Sequence, residues 1–327
     1  MNPNTTFRFA IMGAGNIANK FYDAVNRLGN CCVAAVASKS MERAKSFADK
    51  YGIAGAYDSY EQMLIEEKPD CVYIATTCDS HYELSMLCLQ YNTPILCEKA
   101  MFLNSTEAQE VFALAKEKQV FVMEAMWSRF LPAVNKAKEW LQADKIGDPV
   151  YANIKVGFRA PQDPENRYFG PKLGGGAAYD LTVYCYEIMT WMLGEPSEVK
   201  ASAVFGPTGV DVTDHVLLRF SGKNGAPDAM ASCESSFMTN MTEGMTVLGS
   251  TGRIMVPNPH YGSEAFLYDE QGNQIEAFKD EATENGFVYE AQEVVNCIRT
   301  GKIESDIVPH AQTIACAKVF DLLMAEK

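Results

Sequence analysis

Over the first third of the chain, short apolar runs alternate with stretches whose apolar residues recur at helical spacing. Residues 7–12, 32–37, 71–75, 94–97 and 120–123 are apolar on both faces, the signature of strands buried within a parallel sheet. Between them, residues 16–28, 41–51, 81–91 and 105–118 read as helices, with Ser40 placed to cap the second. Strands covered on both faces and separated by helices of ten or more residues predict an α/β doubly wound parallel sheet of the Rossmann type.

Beyond residue 126 the pattern changes. Residues 128–143 and 177–193 read as helices, and 150–159 as a strand before a loop rich in proline and glycine. From 198 onward come strand-like runs at 198–204, 212–220, 229–237, 245–248, 253–256 and 265–268, some separated by turn signals at 222–225 and 269–272. Helices near 287–300 and 310–325 close the chain. The pattern predicts a Rossmann domain over residues 1–125 and an α+β domain over 126–327 built on a largely antiparallel open sheet. No internal repeat or low-complexity tract interrupts either half.

Length agrees with two domains, since 327 residues exceed one ordinary core. A formal charge of -14 excludes a nucleic-acid partner, which would need a basic surface. No run approaches a membrane span, and residues 9–12 are too short for a signal core. The expected address is therefore cytoplasmic, and the ten cysteines, set within apolar segments without a CxxC, read as reduced core thiols and not as metal ligands.

The first strand runs into Gly13-Ala14-Gly15-Asn16-Ile17-Ala18, a GxGxxA turn opening the first helix. Its first glycine permits the tight turn and its second lets backbone approach a pyrophosphate. The small third position lets helix and strand pack closely. Unpaired N–H groups at the helix start would hold the anion. A purely structural glycine turn is the competing reading, opposed by the turn's position within a βαβ unit. An NAD-preferring site of this type carries an acid after the second strand. Here Ser38, Lys39 and Arg43 offer a hydroxyl and two cations instead, so the expected cofactor is NADP(H), with NAD possible if those cations are only solvated helix-end charges.

Further on, Glu98-Lys99 ends an apolar strand as an ion pair at the carboxyl edge, where ligands of such sheets gather. With GxGxxA at 13–18, His81 opening a helix and Tyr179-Asp180-Leu181 in the second domain, the chain resembles the glucose–fructose oxidoreductase / inositol dehydrogenase / rhizopine-catabolism (Gfo/Idh/MocA) family. Residues 123–132 and 174–184 are most similar to its dimeric dihydrodiol dehydrogenase branch. The resemblance implies an active-site lysine at Lys99, the family's aspartate at Asp180, and a tyrosine, Tyr184, where most members carry histidine. Asp180 and Tyr184 stand four apart and on an α-helix would share a face.

The implied reaction moves a hydride between nicotinamide and a sugar, a polyol or a cyclic diol or dicarbonyl, with Tyr184 exchanging the proton. A tyrosine's ordinary pKa of about 10 suits neutral pH poorly, and a nearby ammonium such as Lys99 would lower it. Thr76, Thr77 and His81 fall where family members contact the cofactor, although Thr77, Asp79 or Ser80 could equally cap the helix. Glu98, Trp127 and Arg129 complete the expected cofactor surroundings, with Arg129 alternatively an ion-pair partner. His215 and His260 receive no role. Two positions depart from the family pattern: Ala100 replaces a proline and Thr182 a glycine. Competing functions are a non-catalytic dinucleotide sensor, or glycoside cleavage through transient oxidation with tightly held NAD, which the missing acid opposes. An open second-domain sheet would leave one face exposed and predicts a homodimer through it.

Overall fold

In the computed structural model, residues 5–161, 163–222 and 226–327 are described. The chain divides into two compact units, one of Met1–Trp127 with Asn285–Ile314, the other of Ser128–Glu284 with Ala315–Lys327. This differs from a single cut at 125/126, because the chain returns to the first unit over Asn285–Ile314.

The first unit is a parallel sheet of β1 (Phe7–Met12), β2 (Cys31–Ala37), β3 (Gly55–Tyr57), β4 (Cys71–Ile74), β5 (Ile95–Glu98) and β6 (Val122–Ala125), in the order β3-β2-β1-β4-β5-β6. Its helices are α1 (Asn16–Asn26), α2 (Met41–Tyr51), α3 (Tyr60–Glu67), α4 (His81–Gln90), α5 (Ser105–Lys118) and α8 (Phe287–Arg299). Ser40 caps α2 as expected, its Oγ accepting the Arg43 N–H at 3.3 Å. β3 and α3 escape the sequence pattern because they are too short, three and eight residues, to show a period.

The second unit is an eight-stranded sheet, also as expected mostly antiparallel. Its strands are β7 (Pro149–Gly157), β8 (Glu198–Phe205), β9 (Asp211–Phe220), β10 (Ala229–Ser236), β11 (Gly244–Gly249), β12 (Gly252–Pro257), β13 (Glu264–Asp269) and β14 (Gln274–Lys279). Their order is β14-β13-β12-β11-β7-β10-β9-β8, and among the described residues only the β7–β10 pairing is parallel. β14 is missed by pattern because it is an edge strand exposed along nearly its whole length. Most of the turn expected at 222–225 lies outside the described residues. Helices α6 (Pro132–Gln142) and α7 (Val183–Leu193) pack on this sheet, α6 over β12 and β13 and α7 over β7 and β10. The closing helix is α9 (His310–Met324), whose residues are divided between the two units after Ile314.

The helix expected over 177–193 opens differently: Ala178–Thr182 is wound as a π-helix and α7 follows directly. Asp180 therefore sits on a wider turn than the α-helical spacing assumed for it and Tyr184. All ten cysteines are free thiols. Among the described residues, no helix is long and apolar enough to cross a membrane.

Candidate active site

Parallel strands bring their carboxyl ends to one edge, and the loops leaving β1, β2, β4 and β5 carry the cofactor residues expected from sequence. Gly13, after β1, has a φ of 106°, and a Cβ there would stand 2.7 Å from the Ala75 carbonyl oxygen. Only glycine fits. Gly15 is extended, and the nearest neighbour to a Cβ there is 4.0 Å away, so its backbone is open to a ligand. The helix it starts has no side-chain cap, which leaves its first N–H groups to an incoming anion. Ala18 is fully buried against the sheet, while Ala14, Asn16 and Ile17 are partly or fully exposed on the turn. These features fit a dinucleotide pyrophosphate.

After β2, Ser38 is buried with its Oγ accepting the Ser40 N–H at 3.4 Å, and Lys39 and Arg43 are exposed. Tyr60, which sequence reasoning missed, hydrogen-bonds the Lys39 backbone. Its only signal would have been the unassigned helix α3. After β4, Thr76 is half-buried and Thr77 exposed. Ser80 ties the two together, with Oγ 2.9 Å from Thr76 Oγ1 and 3.0 Å from the Thr77 carbonyl.

His81 is fully buried, its Nδ1 3.0 Å from the Ala100 carbonyl and its Nε2 3.2 Å from that of Thr76. Burial lowers its pKa and favours the neutral ring. A neutral imidazole has one N–H to donate, so it bonds one of these two carbonyls at a time, the other lying opposite the unprotonated ring nitrogen. Glu98 is buried and accepts the Tyr73 phenol. Lys99 is half-buried, and the Lys99–Ala100 peptide is cis. The missing proline at Ala100 is offset in part, since that residue is fully buried and its carbonyl is held by His81. Trp127 stacks on Phe287 with ring centroids 4.9 Å apart.

In the second unit, Arg129 takes the ion-pair role. Its Nη2 lies 2.8 Å from Glu187 Oε2 with both side chains buried, and its Nε donates to the Glu187 carbonyl at 3.0 Å. Asp180, on the π-turn, pairs with Arg167 Nη1 at 3.6 Å. The buried Tyr184 ring lies 5.0 Å from that of His260, tilted by 39°. His260 Nδ1 is 3.9 Å from Glu243 Oε2, and Glu243 Oε1 accepts the Gly157 N–H at 3.0 Å. Burial pushes the Glu243 carboxyl up. Arg167, His260 and Glu243 were not predicted. Arg167 and His260 stand in loops, and Glu243 precedes β11, where no periodic pattern marks a partner.

The family model for an oxidoreductase family with an NAD-binding Rossmann fold matches residues 7–126, and that of the Gfo/Idh/MocA C-terminal domain matches residues 134–255. The chain belongs to the Gfo/Idh/MocA family. It is an oxidoreductase on an NAD-binding Rossmann fold, as the glycine turn and Lys99 had indicated. Among its relatives is a trans-1,2-dihydrobenzene-1,2-diol dehydrogenase of Mus musculus, 33% identical over 96% of this chain and 95% of that protein. The dehydrogenase of the same name in Xenopus tropicalis is 30% identical, covering 96% of each chain.

Solved structures share the fold at lower identity. Levoglucosan dehydrogenase with NADH and levoglucosan has a TM-score of 0.87 at 18% identity, over 98% of this chain and 97% of that one. A 3-ketoreductase from Actinomadura kijaniata with NADP and TDP-benzene has a TM-score of 0.85 at 20% identity, over 98% of each.

Proposed function

We propose that this Gfo/Idh/MocA protein is an NADP(H)-dependent dehydrogenase or reductase acting on a cyclic diol or dicarbonyl, or on a sugar or polyol. The observation that carries the reading is the set Lys99, Asp180 and Tyr184 in a chain aligning end to end with diol dehydrogenases. Ser38, Lys39 and Arg43, with no acid among them, support a ribose phosphate, while solved members of the fold hold NADH or NADP. Gly13, Ala14, Gly15, Asn16 and Ile17 would cradle the pyrophosphate. Thr76, Thr77 and Trp127 would line the cofactor's path, and His81 and Glu98 would hold the loops around it.

The bound dinucleotide supplies the hydride acceptor or donor. During oxidation Tyr184 takes the hydroxyl proton of the substrate as the carbinol hydrogen leaves as hydride; during reduction it returns that proton to the carbonyl oxygen. Lys99 supplies positive charge for the phenolate, and Asp180 orients substrate hydroxyls. His260, backed by Glu243, is a second proton-bearing group against Tyr184.

The test follows NADPH and NADH oxidation with cyclic 1,2-dicarbonyls and ketosugars, using wild type and Tyr184→Phe. The variant should turn over about 10²–10⁴-fold more slowly, the usual share of acid–base catalysis, with dinucleotide binding nearly intact. Unchanged turnover removes Tyr184 from the chemistry, dinucleotide binding with no turnover on any substrate supports a sensor, and an NADH preference overturns the cofactor assignment. We also propose a homodimer through the second-unit sheet. Leu217, Met230, Tyr151 and Leu248 share one face by register and are each at least 37% exposed. A monomer in sedimentation at micromolar concentration refutes it.

A further inference from the structure

Two buried carboxyls on β9 face the turn that carries Asp180. Asp211 and Asp214 are 0% and 1% exposed, a burial that carboxyls accept only when hydrogen-bonded or neutral. Asp211 Oδ2 accepts the Ala178 N–H at 2.6 Å. It thereby caps, from 33 residues away, a helix start that has no local side-chain cap. Gly176 leaves room for this carboxylate, for a Cβ there would stand 2.2 Å from Asp211 Oδ1. The anion also lies at the positive end of the helix dipole.

Asp214 completes the arrangement. Its Oδ2 accepts the Thr182 hydroxyl at 2.6 Å, and Thr182 Oγ1 is 2.6 Å from Ser235 Oγ on the neighbouring strand. The Oδ1 atoms of both carboxyls are buried without a hydrogen-bond donor among the described residues, and the charge of Asp211 bears directly on Asp214. Two carboxylates buried three residues apart on one strand oppose each other's ionisation, and one proton between them removes the conflict. The bonds then run in one direction: Ser235 to Thr182, Thr182 to Asp214, Asp214 to Asp211, while Ala178 donates to Asp211 from the other end. Burial, then the Asp211 charge, push the Asp214 carboxyl up to about 9, so it holds this proton at neutral pH. Thr182, the departure from the family's glycine, is thus the side chain that ties the π-turn to the pair.

We propose that Asp211 and Asp214 are positioning residues: a carboxyl pair sharing one proton that, through Ala178 and Thr182, fixes the π-wound turn presenting Asp180 and leading into Tyr184. The catalytic half of this inference rests on the roles assigned above to Asp180 and Tyr184; the structural half does not.

The variants Asp214→Asn, Asp214→Ala and Thr182→Val separate the possibilities. A carboxamide can donate to Asp211 and accept from Thr182 as the protonated acid does. Asp214→Asn should keep kcat within about threefold, whereas Asp214→Ala and Thr182→Val should lose about 10²-fold, the cost of misplacing a reacting group by about an ångström. KM for the dinucleotide should not move. Hydrogen exchange should quicken over residues 177–184 in the latter two and not at the glycine turn. If Asp214→Ala fails to fold, Thr182→Val and Asp214→Asn carry the comparison. Wild-type exchange over 177–184 in Thr182→Val overturns the pair's role whatever the substrate proves to be. Faster exchange there with wild-type kcat overturns the catalytic half. An Asp214→Asn loss as deep as that of Thr182→Val overturns the shared proton. Failure of the functional reading appears separately, as an unaffected Tyr184→Phe.

Discussion

The glycine turn of the first unit and the π-turn of the second both start a helix and both need a glycine, yet they are held in opposite ways. At Gly13–Ala18 no side chain meets the helix start. The glycine is forced by an Ala75 carbonyl, and the helix N–H groups are left without a side-chain cap. At Gly176–Thr182 the first helical N–H groups are met by a carboxylate from β9, and a threonine hydroxyl ties the turn to a second carboxyl. One turn leaves its positive end open for an anion from solution; the other has its anion built in. On the proposed reading the first serves binding, and the second serves to hold side chains still.

The largest effect that could break this comparison is on stability against pH. Asp214 keeps its proton in the folded protein up to about 9, because burial and then Asp211 penalise its charge, whereas an unfolded aspartate loses it near about 3.9. Between those values the folded state binds one more proton. This contribution is full below the lower value and is lost as pH rises through the upper one, at up to about 1.4 kcal/mol per pH unit. Glu290, buried in the first unit with no hydrogen-bond donor to its carboxyl among the described residues, shifts in the same direction, so the wild-type slope alone does not locate the effect. Glu243, in the second unit, is raised as well, and Asp214→Asn removes only the Asp214 part. Its urea stability should gain on wild type steadily from pH 5 to pH 8, and parallel curves would show that Asp214 ionises freely.

The same contrast explains what the sequence made legible. In the first unit the residues at 13–18, 38–43, 76–81 and 98–99 each follow a strand of one parallel sheet, so topology alone gathers them at one edge. Strand and helix periods predict that topology, and the glycines and Lys99 follow from it. In the second unit the partners are far apart in the chain: Ala178 meets Asp211, Thr182 meets Asp214 and Ser235, and Tyr184 meets His260. No period predicts which loop of an antiparallel sheet faces a given helix, so His260 and Glu243 carried no signal. Asp214 is one polar residue of the strand-like run at 212–220 and Asp211 lies just before it, so neither stands out. His81 shows the limit from the other side. Its position was legible, but its burial between two carbonyls was not.

A pair of alanine substitutions sharpens the comparison with a smaller effect. Gly13→Ala forces a side chain into a φ of 106° and against the Ala75 carbonyl, a backbone strain of about 1–3 kcal/mol before any shift of that carbonyl. Dinucleotide affinity should fall about 10- to 100-fold, with hydrogen exchange over residues 177–184 unchanged. Gly176→Ala, at a φ of 138° and against Asp211 Oδ1, should do the reverse: exchange over 177–184 quickens while dinucleotide affinity holds. Fluorescence titration with NADPH and exchange on both variants read the two arms together. If Gly176→Ala weakens the dinucleotide as much as Gly13→Ala does, the two turns are not separate devices, and the division between an open and a filled helix start fails. If each variant disturbs only its own turn, the protein binds with one and positions with the other.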